Sequence, residues 1–194
     1  MTDIRTGPPA SREALPVELV DRAGRAIGVC PVAQAHRSPG LLHRAFSVLL
    51  FDASGRVLIQ QRAAVKTRFP LRWANTCCGH PAPGQPVIEA ADTRLHEELG
   101  LTAELVEAAT FTYRAADRQT GRVEYEFDHV VIGTHSGAEP RPDPDEVAAF
   151  AWAEPAHLTR IAHEHPERYA PWLGRVLDIA VLAHLDIPGP GQRY

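Results

Sequence analysis

Two carboxylates occupy alternate residues of a segment whose pattern predicts a β-strand: Glu124 and Glu126 flank Tyr125. Because residues i and i+2 of a strand point to the same face, these two carboxylates lie side by side. Like charges at that separation repel unless water or a cation stands between them. On a solvated strand face the pair needs no further explanation. The apolar run at 130–132 instead indicates a strand that enters the core, where the pair needs a metal ion or a proton.

Three histidines are spaced so that folding could bring their rings together. His36 and His43 flank the tight Ser-Pro-Gly segment at 38–40, and His80 lies in the Cys-Cys-Gly-His-Pro segment at 77–81. Imidazole nitrogens combined with carboxylate oxygens suit a divalent transition metal. With 10 histidines in the chain, the grouping could also arise by coincidence. Three further histidines are predicted on the surface of a C-terminal helix: His157, His163 and His165.

A second pair of carboxylates, Glu97 and Glu98, lies at the end of a predicted helix, just before Gly100. Oxygen ligands suit the hard cation Mg²⁺, so a loop leading into this helix could hold that ion against a diphosphate. The commoner alternative is that both glutamates are ordinary charges on an exposed helix surface.

The cysteines offer one candidate for chemistry. Cys78 precedes Gly79 in a segment predicted to be irregular, where a thiol can be presented to a ligand. A free cysteine is by default an inert buried side chain, and the adjacent Cys77 is the better candidate for that role. Three cysteines, two of them neighbours, do not make a disulfide framework, which favours a reducing cytoplasm.

Mixed strands and helices must position these residues. The clearest helix spans 86–99, and Gly100 ends it. Its apolar residues recur at helical spacing: Val87, Ala91, Leu95 and Leu99. Strands are predicted at 15–21, 26–29, 45–52, 56–62, 103–115, 122–133 and 148–153. A loop is predicted at 63–76. Helices are predicted after residue 155, and the clearest of these spans 169–184. This combination favours an α/β sandwich rather than separate domains.

The overall composition limits the function. The chain has 194 residues, 44% hydrophobic and 23% charged, as is usual for one globular domain. We expect a flexible arm at 1–14, a single domain at 15–186 and a flexible tail at 187–194. The net charge of −4 does not indicate general binding to nucleic acid, and no apolar run is long enough to cross a bilayer. The sequence therefore predicts a cytoplasmic protein, monomeric or weakly dimeric, without nucleic-acid partners or stable membrane insertion.

In this order and spacing the motifs resemble the type I isopentenyl diphosphate isomerases, a branch of the Nudix superfamily. The resemblance runs from about residue 15 to residue 172. The segments that carry it are weak singly and specific together: Ala-His at 35–36 with His43, Ala-Phe-Ser-Val at 45–48, Gln-Arg-Ala at 61–63, Trp-Ala-Asn-Thr-Cys-Cys-Gly-His-Pro at 73–81, Glu-Glu-Leu-Gly at 97–100, Tyr-Arg at 113–114 and Glu-Tyr-Glu at 124–126. The fold implied is the Nudix α/β/α sandwich, a mixed sheet flanked by helices.

The resemblance also implies a metal site and a proton-transfer pair. A divalent ion (Mn²⁺, Mg²⁺ or Zn²⁺) would be held by five residues: His36, His43, His80, Glu124 and Glu126. Cys78 and Glu126 would transfer protons on opposite faces of the substrate, with Tyr113 assisting. A metal beside Glu126 and Tyr113 changes the acidity of both groups.

The implied substrate is a prenyl diphosphate. Trp172 would place an aromatic face over a developing carbocation, and Glu98 would help seat Mg²⁺ on the diphosphate. Three cationic side chains would neutralise the diphosphate oxygens: Arg62, Lys66 and Arg94. The implied activity is a metal-dependent interconversion of isopentenyl and dimethylallyl diphosphate, by protonation and deprotonation through a tertiary carbocation that must be kept from water.

Two positions depart from the related patterns. Nudix hydrolases carry Arg-Glu where this chain has Thr93 and Arg94, and that glutamate belongs to their metal cluster, which argues against pyrophosphate hydrolysis. Val32 stands where the isomerases have a lysine that contacts the diphosphate. One charge-assisted contact, worth about 1.5–3 kcal/mol, is therefore missing.

Three other functions stay open at this point. A protein with this site could protonate the alkene of a different or longer prenyl substrate and so trigger cyclisation. A Nudix pyrophosphohydrolase would release phosphate. A non-catalytic module would bind a metal or a prenyl diphosphate and leave it unchanged.

Overall fold

A mixed β-sheet forms the centre of the fold in the computed structural model, which describes residues 12–186. Its strands are β1 (Pro16–Val20), β2 (Ala26–Pro31), β3 (His43–Phe51), β4 (Val57–Arg62), β5 (Trp73–Ala74), β6 (Cys77–Gly79), β7 (Leu105–Ala116), β8 (Val123–Thr134) and β9 (Val147–Ala153). The helices are α1 (Val32–Ala35), α2 (Val87–Leu99), α3 (Pro155–Glu164) and α4 (Leu173–Asp186), with 3₁₀ helices at Arg12–Ala14 and Pro166–Arg168.

The parallel pair of β3 and β8 lies in the middle of the sheet. Its register runs from His43 opposite Glu126 to Phe51 opposite Thr134. The other strand pairs are antiparallel: β1 with β2 and β3, β4 with β3, β5 and β9, β6 with β3, and β7 with β8. Helices cover both faces of the sheet, and the central strands carry apolar runs on both faces at 48–51 in β3 and 130–132 in β8.

Two apolar cores, one on each face, hold the helices to the sheet. Alternate residues of β8 divide between them: Val130 and Ile132 pack with α4, whereas Val131 packs with α2. This is the α/β/α sandwich that the sequence predicts. Among the described residues, no helix is long and apolar enough to cross a membrane.

Helix α2 confirms the strongest sequence prediction. Its four predicted apolar residues are all buried, and Gly100 ends the helix with φ of 64°, a left-handed conformation that glycine adopts without strain. Arg94 and Glu98 are also buried, whereas half of the Glu97 side chain is exposed. The surface interpretation therefore holds for Glu97 and is wrong for Glu98.

Five segments differ from the sequence predictions. Within the predicted loop at 63–76, Trp73 and Ala74 form β5, which pairs with Gln60 and Gln61 of β4. Arg12–Ala14 form a 3₁₀ helix instead of the end of a loose arm, because Glu13 is bound by Arg68 and Thr67. Residues 77–79, predicted to be irregular, are paired as β6 with β3. The short helix α1 was not predicted. The last helix begins at residue 173 instead of 169, because the preceding segment pairs with Trp73. Residues 1–11 and the predicted tail 187–194 lie outside the described residues.

Candidate active site

Five side chains from four elements meet at one end of the β3–β8 pair, with their ligand atoms all within 4.8 Å of one another: His36, His43, His80, Glu124 and Glu126. The sheet register explains their convergence. His43 begins β3 directly opposite Glu126 of β8, and β6 pairs with β3 so that His80 follows at the same end. His36 lies at the carboxyl end of α1, which leads into β3.

Hydrogen bonds around the cluster fix the direction of each ligand. The Nδ1 atoms of His36 and His43 lie 2.8 Å from the carbonyl oxygens of Val32 and Leu41 respectively. With Nδ1–H donating to those carbonyls, each ring turns the lone pair of Nε2 towards the centre of the cluster. Such outer hydrogen bonds are the usual device that orients a metal-binding histidine.

The cluster contains buried polar atoms that a cation would satisfy. Among the described residues, Nε2 of His36, Nε2 of His43 and Oε2 of Glu124 are buried without a hydrogen-bond partner. Nε2 of His36 lies only 2.7 Å from Oε2 of Glu124: the two form an ion pair while the ring is protonated, but two lone pairs oppose each other when the ring is neutral, the form that binds a metal ion. Because unpaired buried groups are costly, this donor set fits a divalent ion that takes nitrogen and oxygen ligands.

The charges of the cluster respond to burial and to each other. Burial opposes the charged form of His36, but the Glu124 carboxylate outweighs it and raises the His36 pKa to about 9. Burial lowers the pKa of His80 to about 4, so that ring is neutral. Burial also opposes the ionisation of Glu126, but the imidazoles around it, of which that of His80 lies 3.0 Å from Oε1, hold its pKa well below the usual value. Glu126 is therefore a carboxylate.

A cavity of about 50 Å³ adjoins the cluster, and Cys78 and Glu126 both line it. Burial raises the pKa of Cys78 to about 11, so the thiol keeps its proton, although Arg62 lies 3.5 Å from its sulfur. Tyr113 donates to Oε2 of Glu126 over 2.5 Å, and burial also raises the Tyr113 pKa. One cavity thus holds a protonated acid and an ionised base.

An aromatic wall closes another side of the cavity. Trp172 is buried, and its indole N–H donates to the side-chain oxygen of Asn75 over 2.9 Å. The rings of Phe69 and Tyr113 lie with centroids 5.5 and 5.8 Å from the Trp172 ring. These contacts fix the indole plane. The Arg62 guanidinium carbon lies 5.7 Å from the same ring, within the range of a cation–π contact.

The three predicted cations lie near the thiol, among carboxylates. Lys66 pairs with Glu146, and Arg94 lies 3.1 Å from Glu146 and 2.7 Å from Glu97. Arg94 also pairs with Glu98, which lies outside the histidine cluster and accepts from Gln60 over 2.7 Å. Glu98 is therefore separate from the five-residue cluster.

Comparison with known proteins identifies the family. The NUDIX domain profile matches residues 41–175. An isopentenyl-diphosphate Delta-isomerase of Nocardia farcinica is 63% identical over 175 residues, covering 90% of this chain and 99% of the relative. The isomerase of Streptomyces coelicolor is 47% identical over 91% of this chain and 89% of its own. The chain belongs to the isopentenyl-diphosphate Delta-isomerase family, within the Nudix superfamily.

Two solved structures share the fold of this protein. DR0079 from Deinococcus radiodurans superposes with a TM-score of 0.67, covering 84% of this chain and 97% of that one, at 23% identity. The MutT protein of Methanosarcina mazei gives a TM-score of 0.58 over 71% of this chain and 91% of its own, at 14% identity. At such identities the likeness concerns the fold alone.

Sequence reasoning missed residues that hold the isomerase-family site together. Arg68, which is buried, donates from Nε to Oε1 of Glu124 over 3.1 Å and lies 2.6 Å from Glu13. Asn75 binds Trp172, and Glu146 joins Lys66 to Arg94. No local spacing reveals these contacts, because their partners lie 52 to 97 residues away along the chain. The only signal was the basic and aromatic composition of the 63–76 loop.

Proposed function

We propose that this protein is a divalent-metal-dependent isomerase that interconverts isopentenyl and dimethylallyl diphosphate. The observation that carries the proposal is the shared cavity of Cys78 and Glu126, in which one group holds a proton and the other is ionised. Moving a double bond requires a proton to be added at one carbon and removed at another. The names of the relatives support the same substrate pair.

Cys78 and Glu126 are the proton-transfer groups of this proposal. The reaction is reversible, so the group that donates in one direction accepts in the other. Tyr113 hydrogen-bonds to Glu126 and therefore holds this carboxylate in place while its charge changes. The Arg62 guanidinium lies 3.5 Å from the Cys78 sulfur and stabilises the thiolate that forms when Cys78 gives up its proton.

Protonation of the unactivated alkene gives a tertiary carbocation, which the cavity must stabilise without attacking. The buried face of Trp172 supplies negative electrostatic potential without a nucleophile. Burial of the surrounding side chains restricts water, which would capture the cation as an alcohol. This function requires the fixed indole orientation that Asn75 and Phe69 give.

The proposal includes two sites for divalent ions. The cluster of three histidines and two glutamates would hold Mn²⁺, Mg²⁺ or Zn²⁺, and Glu98 would help to seat Mg²⁺ against the diphosphate. An ion in the cluster supplies positive charge that changes the acidity of its carboxylate and of the neighbouring phenol. At the other end of the cavity, Arg62, Lys66 and Arg94 would neutralise the diphosphate, and this binding orients the alkene carbons.

Pyrophosphate hydrolysis is the function that the site disfavours. Arg94 stands at the position of a hydrolase metal ligand and forms ion pairs with Glu97 and Glu98 instead. A guanidinium cannot bind a metal ion, so the hydrolase ligand set is incomplete.

The decisive experiment is incubation of the purified protein with isopentenyl diphosphate, Mg²⁺ and Mn²⁺ in D₂O. We expect dimethylallyl diphosphate that carries deuterium, detected by NMR and mass spectrometry, because the added proton comes from groups that exchange with solvent. Glu126→Gln keeps the shape of the side chain but removes its charge, and it should abolish conversion. Glu139→Gln, at an exposed position, is the matched control. Unchanged substrate would contradict the proposal, and a cyclised longer prenyl substrate or released phosphate would replace it.

A further inference from the structure

The diphosphate end of the cavity has an apolar residue at a position where the sequence comparison leads us to expect a cation. Val32 begins α1, is almost fully buried, and lines a cavity of about 90 Å³ together with Cys78 and Arg94. An aliphatic side chain gives a phosphate oxygen no partner. Either the site binds the anion with one contact fewer, or another residue supplies the charge.

Arg12 lines this same cavity, although it is 20 residues from Val32 in sequence. Its 3₁₀ helix is tied to α1, because the Leu15 N–H donates to the Arg12 carbonyl and the Val32 N–H donates to the Leu15 carbonyl, over 3.2 and 2.9 Å. On the other side, the Glu13 carboxylate lies 2.6 Å from Arg68. These contacts place the Arg12 side chain beside Val32.

The ion pairs of Arg12 join it to the other cations of the site. Its Nε lies 2.9 Å from Glu146, the carboxylate that also contacts Lys66 and Arg94. Its Nη2 lies 2.8 Å from Glu97, which also pairs with Arg94. Arg12, Lys66 and Arg94 thus form one cationic group held by shared carboxylates.

The exposure of Arg12 allows it to exchange these partners. About half of its side chain is exposed, at 48%, so its pairs with the carboxylates are screened by water and weak. A guanidinium makes strong two-pronged hydrogen bonds with phosphate oxygens. A diphosphate that enters between Arg12 and Arg94 would accept on its oxygens the N–H groups that both side chains now direct at Glu97.

We propose that Arg12 is a diphosphate-binding residue, which supplies from the N-terminal 3₁₀ helix the positive charge that Val32 lacks. The inference rests on the proposed function and names a residue of that same site. It makes the segment before β1 a part of the substrate pocket.

The test compares Arg12→Ala with Arg25→Ala, which removes an exposed arginine and its ion pair with Asp21 in the β1–β2 turn. The readouts are KM and kcat for isopentenyl diphosphate and the inhibition constant of inorganic pyrophosphate. We expect Arg12→Ala to raise KM and the inhibition constant about tenfold or more, as the loss of a charge-assisted contact should, with kcat within about twofold. Arg25→Ala should change none of them. Unchanged constants in a folded Arg12→Ala protein would overturn the inference.

A rescue variant separates direct binding from a structural role. Val32→Lys in the Arg12→Ala background restores a charge to the cavity but cannot rebuild the pairs with Glu97 and Glu146. Recovery of pyrophosphate affinity supports direct binding, and a folded double variant without recovery overturns it. If the buried lysine prevents folding, Arg12→Lys is the alternative test. A pyrophosphate affinity close to that of Arg12→Ala overturns the inference, and an affinity close to that of the wild type supports it.

Failure of the inference can be told apart from failure of the proposed function. If wild-type protein converts the substrate and Arg12→Ala is unaffected, only the role of Arg12 is wrong. If wild-type protein does not convert it, the proposed function fails, and direct titration of inorganic pyrophosphate by calorimetry, which needs no turnover, still tests Arg12.

Discussion

Cys77 and Cys78 are neighbours in β6, but their side chains lie on opposite faces of the sheet. Cys77 is fully buried in the core beneath α2, whereas Cys78 packs towards the α4 side and lines the cavity. Strand alternation gives this division, since successive side chains of a strand point to opposite faces. One thiol therefore belongs to the packing and the other to the site.

The two cysteines provide a matched pair of variants. Cys78→Ala should lower kcat by about 10²–10⁴-fold, the usual contribution of one proton-transfer group, and leave the thermal midpoint nearly unchanged. Cys77→Ala should keep kcat and lose about 1 kcal/mol of unfolding free energy, because it leaves a small void in the α2 core. Steady-state kinetics and thermal denaturation check both. Near-normal turnover by Cys78→Ala would remove the thiol from the mechanism.

Removal of divalent ions should abolish activity and lower stability. A bound ion stabilises the fold by about 2.7 kcal/mol at a hundredfold excess over its Kd, which for a protein of this size raises the thermal midpoint by about 5–10 °C. Chelation followed by titration with Mn²⁺ or Zn²⁺ measures this shift. His43→Ala should lose it, and the exposed His163→Ala should retain it. An equal shift in both variants would place the ion elsewhere.

The indole of Trp172 should matter to turnover through its aromatic face. Trp172→Leu removes the π system, and a desolvated cation–π contact of about 2 kcal/mol corresponds to roughly a thirtyfold loss in kcat. Trp172→Phe keeps an aromatic face and should lose much less kcat, although it gives up the hydrogen bond to Asn75 and about 1 kcal/mol of stability. Kinetics on variants with confirmed folding distinguish the two effects. Equal kcat losses would indicate that Trp172 only packs.

Lys66 should give the reaction an alkaline limit. Burial lowers its pKa to about 8, with Glu98 acting in the opposite direction and Arg62 acting with burial. The ammonium is therefore charged below about pH 8 and neutral above it, so kcat/KM, which reports the free protein, should fall as the pH rises past that value. Lys66→Arg stays charged throughout this range and should extend the plateau upwards. A pH profile of kcat/KM for both proteins checks this, and identical alkaline limbs would assign the titration to another group.

The elements that could be predicted are those with a local signal. Helix α2 has apolar residues at helical spacing and a glycine at its end, and both features act within a few residues. The five-residue His/Glu cluster was predicted from the family resemblance, since residue type and spacing alone left coincidence open, and its ligand atoms all lie within 4.8 Å of one another. Nothing in the spacing revealed the parallel register of β3 and β8, which brings His43 opposite Glu126.

Residues that support the site through distant contacts could not be predicted. Arg68 lies in an irregular loop, and only the folded sheet brings it to Glu124. The burial of the adjacent Glu97 and Glu98 could not be predicted for the same reason. Both fit a helix surface equally well in the sequence, and only the packing of α2 on the sheet buries Glu98 and leaves Glu97 at the rim.

The parallel pairing of β3 with β8 also has a consequence for biosynthesis. The chain emerges from the ribosome with its N-terminal part first, so the three histidines of the cluster leave the exit tunnel well before Glu124 and Glu126. Until β8 has emerged and paired with β3, the nascent chain has the three imidazoles, but no carboxylates stand beside them and the sheet that orients them is incomplete. Assembly of the five-residue cluster is therefore a late event in maturation. A prematurely terminated product that ends before Glu124 lacks both carboxylates and cannot assemble it.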